Sequence, residues 1–117
     1  MNPLPSRLTP ALAQRFGDSE PFRSRRFAEV FAHGSLVVEL YAPRGHDPQQ
    51  PHARDEVYVV VAGQGRFFCD GETRDFGPGE LLFVPAGIEH RFLDFSDDFV
   101  AWVIFYGPEG GEAGQET

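Results

Sequence analysis

A single cysteine, Cys69, stands in the 117-residue chain. An internal disulfide is therefore excluded, and a reducing compartment such as the cytoplasm fits. No apolar run approaches the roughly 20 residues of a membrane-spanning helix. The opening Met-Asn-Pro-Leu-Pro-Ser-Arg has no apolar core of the secretory kind. Positive charge is scarce: Lys and Arg total 10 against 18 Asp and Glu, a formal net charge of −8. That balance argues against nucleic acid and membrane as partners. Internal repeats are missing, and 117 residues make one domain able to bury a core without staples.

Helix signals are also few. Thr9 followed by Pro10 is a helix start, and Ala11, Leu12, Ala13 and Phe16 extend it for two turns before Gly17. The rest alternates short apolar segments with turn residues. Strands are expected at 27–32, 35–42, 56–62, 66–69, 72–76, 80–84, 90–95 and 99–106. Asp70-Gly71 is the favoured pair for a tight hairpin, since both residues tolerate positive φ. Gly77-Pro78-Gly79 and Pro85-Ala86-Gly87 mark further turns. Pro85 at the second and Gly87 at the fourth position fit a type I turn ahead of His90. The pattern predicts an all-β antiparallel sandwich or barrel over residues 25–106. An N-terminal arm, 1–24, precedes it. An acidic tail, 107–117, with no apolar residue larger than Ala, is expected to fray.

Candidate chemistry starts in Gln50–Gly63. On an extended chain Gln50, His52, Glu56, Tyr58, Val60 and Ala62 share one face. On the strand after Pro85, His90, Phe92 and Asp94 share another. In a barrel these faces converge, giving two imidazoles and one carboxylate, a set that leaves coordination positions open on a divalent metal. Gln50 could add a neutral oxygen. Against this, a lone His or Glu at a strand start is more often a hydrogen-bonded or surface residue. Tyr58 and Phe92 are pocket walls or core, and Trp102, with Ile104 and Tyr106, is pocket wall, core or dimer contact. Cys69 reads as a small hydrophobe with no activating neighbour. The arginines at 23, 25 and 26 read as a solvated strand edge. Glu89 points to solvent, and Asp94 stands about 13 Å along the strand from His90, too far to orient it.

The spacing of these residues resembles the two motifs of small single-domain cupins. His52, three residues, Glu56, six residues and Gly63 match the first. Gly79, five residues, Pro85-Ala86-Gly87, two residues, His90, three residues and Asp94 match the second. Three positions depart. Gln50 replaces a His, Gly45 is one place too near, and Asp94 replaces an Asn. The resemblance implies a cupin-type β-barrel, jelly-roll-like, of two facing antiparallel sheets with the site in its mouth. It implies one divalent metal ion (Fe, Mn, Ni or Zn) on His52, Glu56 and His90, with Gln50 or His46 completing the set. It also implies a homodimer. Two functions follow as expectations: metal chemistry of the dioxygenase, isomerase or lyase kind on a small anionic or enolisable molecule, or binding of a small molecule or sugar without turnover, with a degenerate metal site.

Overall fold

The computed structural model describes residues 26–113. The arm 1–24, with its expected helix, lies outside them, as does 114–117.

Eight strands follow in order: β1 (Phe27–His33), β2 (Leu36–Tyr41), β3 (Asp55–Ala62), β4 (Gly65–Cys69), β5 (Glu72–Phe76), β6 (Leu81–Val84), β7 (His90–Leu93) and β8 (Val100–Tyr106). Each expected strand is present, its ends moved by two residues at most. Asp94 takes φ 50 and ends β7 early. Asp70 and Gly71, at φ 51 and 82, form the hairpin turn between β4 and β5. The described residues contain no helix long and apolar enough to cross a membrane.

Two antiparallel sheets face each other. One has the order β1-β2-β8-β3-β6 and the other β5-β4-β7. Register decides which residues point between them. Tyr58 on β3 stands opposite Val103 on β8, and Ala101 stands opposite Tyr41 on β2. These four join Phe67, Phe76, Phe92 and Phe99 in the core between the sheets. Phe92 touches Tyr58, Phe67, Phe76 and Phe99 at ring-centroid distances of 4.7 to 5.3 Å. Burying an aromatic ring of this kind contributes roughly 1.5–3 kcal/mol.

Trp102 lies one position from Val103 and so points the other way. It packs with Leu40, Ala28 and Val100 on the outer side of the large sheet. The expectation that Trp102 walls a pocket inside the barrel is corrected by this register.

The segment after β8 is fastened rather than frayed as far as Glu112. Gly110 N–H donates to the Ala53 carbonyl at 2.7 Å, and Glu112 N–H donates to Asp55 Oδ2 at 2.8 Å. Asp55 is buried, so its carboxylate serves as a fixed acceptor where composition alone indicates a loose tail.

Candidate metal centre

Glu56 enters the site from β3, between Val84 of β6 and Phe105 of β8. It is fully buried. His90 opens β7 on the facing sheet, also buried. His52 precedes β3 and packs edge-on to Phe105, with ring centroids 4.9 Å apart.

The two cupin-like motifs are tied to each other by backbone. Ile88 N–H donates to the Pro85 carbonyl at 3.3 Å, so the turn runs from Pro85 to Ile88. Gly87, at φ 79, is its third residue, which is the pattern of type II rather than the type I read from sequence. Gly87 N–H donates to the His52 carbonyl at 2.7 Å, and Ala86 N–H donates to Asp55 Oδ1 at 2.9 Å. This turn therefore fixes where His52 and His90 meet.

One nitrogen or oxygen from each of His52, Glu56 and His90 lies within 4.8 Å of the other two. His90 Nδ1 donates to the Ile88 carbonyl at 2.9 Å, which leaves Nε2 turned inward with its lone pair. That Nε2 is 2.9 Å from Glu56 Oε1, and His52 Nε2 is 3.9 Å from the same oxygen. Yet both Glu56 oxygens are buried without a well-directed hydrogen bond. A buried carboxylate left so costs several kcal/mol unless a cation meets it. A proton does this in part: burial opposes charge on His90, but Glu56 and the Ile88 carbonyl outweigh it and raise the pKa above the ordinary imidazole value. A divalent ion would satisfy both imidazole lone pairs and the carboxylate together, so the residues fit such an ion.

The sequence reading of Gln50 and His46 is not reproduced by this geometry. Both are exposed and line a separate hollow with Asp47 and Arg91. Gln49 takes the place beside the triad. Its Oε1 accepts the Tyr58 hydroxyl at 2.6 Å and lies 3.4 Å from His52 Nε2. Gln49 is set by Asp47, whose carboxylate accepts from Gln49 Nε2 at 2.7 Å, Gln49 N–H at 3.2 Å and Phe92 N–H at 2.9 Å, and also from the Tyr41 hydroxyl. The parity argument fails at residue 50 because residues 42–54 are not a strand. Alternation of faces holds only on extended backbone.

A hollow of about 400 Å³ opens at His52 and Gln49. Its walls are Phe27, Val37, Glu39, Tyr41, Val103 and Phe105, with Ala53 and Arg54 at one side. Tyr58 and Phe92 lie on the inner face but behind this surface, Tyr58 bonding to Gln49 and facing His90 Nε2 at 3.1 Å. Burial, then Glu56 and Asp47, push the Tyr58 phenol well above its usual range, so it stays neutral. Burial is also the first cause raising Cys69, which leaves it a poor nucleophile. Sequence reasoning missed Glu39, Tyr41, Arg54 and Gln49. Glu39, a charge inside an apolar strand, was the one available signal.

This double sheet, with two imidazoles and a carboxylate at its mouth that could hold a metal ion, is the architecture of a cupin. The family model described as "Cupin domain" matches residues 37–106. The chain belongs to the cupin family. An uncharacterised protein of Streptomyces coelicolor is 43% identical over 85 residues, covering 71% of this chain and 81% of that one. A dimethylsulfoniopropionate lyase of Ruegeria pomeroyi is 34% identical over 80 residues, 66% of this chain and 40% of the lyase. An acireductone dioxygenase of Rhodopseudomonas palustris is 44% identical over 45 residues, 35% of this chain and 27% of the enzyme. The chain thus spans less than half the length of either named enzyme. Among solved structures, a cupin 2 conserved barrel protein of Salinispora arenicola superposes with a TM-score of 0.58 at 17% identity, over 69% of this chain and 74% of that one, a likeness of fold.

Proposed function

We propose that this protein binds one divalent metal ion through His52, Glu56 and His90 and uses it on a small organic molecule held in the adjoining hollow. The fully buried Glu56 carboxylate, with no well-directed hydrogen bond and two imidazole nitrogens turned toward it, carries the proposal. When bound, the ion would supply Lewis-acid polarisation or, if redox-active, electron transfer. The chain's own groups do the rest. Ile88 holds the His90 tautomer. Asp47 positions Gln49, whose amide adjoins His52 and fixes the Tyr58 hydroxyl. Phe105 keeps the His52 ring in place, and the apolar walls exclude water from the bound molecule. An anionic or enolisable substrate suits an ion whose protein ligands carry only one negative charge. The names of the lyase and the dioxygenase among the relatives are consistent with chemistry of that kind.

Binding without turnover is the second reading. It is favoured by the lining of the hollow, which is mostly apolar: Phe27, Val37, Tyr41, Val103 and Phe105. His52→Ala separates the two. An enzyme loses metal and turnover together, whereas a metal-independent binder keeps its ligand. A cytoplasmic location and a homodimer belong to the same proposal. For the dimer, the outer face of β6 exposes Leu81 (66%) and Phe83 (49%), apolar side chains at a sheet edge.

A further inference from the structure

The hollow beside the triad carries two opposite charges that the metal reading leaves unused. Glu39 points inward from β2, opposite Val103 on one side and opposite Glu29 on the other. Two carboxylates directly across a strand pair repel. The Glu39 side chain has neither a hydrogen bond nor an ion pair among the described residues. Burial first, then Glu29 and Glu56, raise its pKa. Around it stand aromatic rings: Phe27 faces Tyr41 across β1 and β2, and Phe105 comes from β8. A carboxylate among aromatic walls is the chemistry that recognises an onium group, whose diffuse charge is attracted to ring faces and whose methyls tolerate an apolar surface. At the side of the same hollow, Arg54 donates from Nε to the Gly107 carbonyl at 3.0 Å, and its Nη2 is buried with no partner. A guanidinium nitrogen in that state lacks an anionic or carbonyl acceptor.

We propose that the hollow is a site for a small betaine, with its quaternary ammonium or tertiary sulfonium group at Glu39 within the Phe27, Tyr41 and Phe105 walls, and its carboxylate at Arg54. This rests on the reading that the hollow beside the metal group is the working site, and it names the substrate class. Neither charge alone accounts for both features. A simple carboxylic acid leaves Glu39 facing an apolar chain, and a simple onium ion leaves Arg54 without its acceptor.

The test uses isothermal titration of the full chain, metal-loaded and metal-free, with three probes: β-alanine betaine, its isostere with carbon in place of the ammonium nitrogen, which keeps the carboxylate and lacks the onium charge, and choline, which lacks the carboxylate. The betaine should bind about tenfold or more tighter than either. Glu39→Gln should erase its advantage over the isostere and leave its advantage over choline. Arg54→Gln should do the reverse. Since Arg54 also holds Gly107, thermal melts accompany each variant, and Arg54→Lys, which keeps the charge, should restore part of the advantage over choline. Equal binding of the betaine and its isostere to the unaltered protein overturns the proposal, as does no betaine binding, or an advantage that survives Glu39→Gln. Metal content of the same samples separates the two readings. Full metal with no betaine preference removes the substrate class alone. Betaine preference without metal keeps the substrate class and removes the metal reading.

Discussion

Glu56 is the side chain whose surroundings make least sense without a cation. Zinc, manganese, nickel or iron(II) added at about a hundred times its dissociation constant should stabilise the fold by about 2.7 kcal/mol, read as a rise in Tm. Glu56→Gln or His52→Ala should abolish that rise while leaving a cooperative melt. Asp47 is the second such side chain. It is buried and accepts four hydrogen bonds, from Tyr41, Gln49 twice and Phe92. Asp47→Ala leaves those donors unpaired and should cost about 2–4 kcal/mol in denaturant unfolding. It should also weaken metal binding by releasing Gln49. Glu39 carries the pH signature. Its folded pKa lies above the unfolded value, so the penalty for its charge is absent below the unfolded pKa and complete above the folded one. Glu39→Gln should therefore raise Tm near pH ~7, and the gain should vanish as pH falls through the folded pKa into the ordinary carboxylate range. A gain that persists in acid would count against the burial of that carboxylate.

Strands and turns were largely legible because their punctuation is local. Asp70-Gly71 requires two positive φ angles, and only a few residue types permit them. Gly63 shows what else a glycine encodes here. It sits at φ 89, and a Cβ there would fall 2.4 Å from the Phe99 Cα. Gly63→Ala should cost more than about 2 kcal/mol, because backbone cannot move aside as a flexible side chain can. A near-neutral melt would show that the β3–β4 turn can be rebuilt. Two things were not legible. The segment 42–54 connects β2 to β3 without regular structure, so alternation said nothing about whether Gln49 or Gln50 faces the site. Alternation also gives no common inside from one strand to the next. Even-numbered residues point inward on β3, whereas Val103 and Ala101 point inward on β8 and Trp102 does not. Only the register between strands settles that, and register arises from long-range pairing.

His52, Glu56 and His90 were legible from spacing because the turn from Pro85 to Ile88 and the strand β3 are both fixed by sequence, and the fold needs only to bring them face to face. Glu39, Tyr41 and Arg54 were not, since three separate strands and a loop contribute to the hollow. The outer face of the large sheet gives the assembly prediction. If Leu81 and Phe83 mark a dimer contact, light scattering at micromolar concentration should give twice the chain mass, and Leu81→Glu with Phe83→Glu should shift it to monomer without loss of metal.

Elemental analysis of untagged protein, after supplementation with divalent ions and removal of excess, tests the metal centre most directly. About one ion per chain is predicted for the unaltered protein, falling to trace in Glu56→Gln and His90→Ala, each still folded by circular dichroism. No metal above trace in the unaltered protein, or the same content in the variants, would contradict a site built on His52, Glu56 and His90.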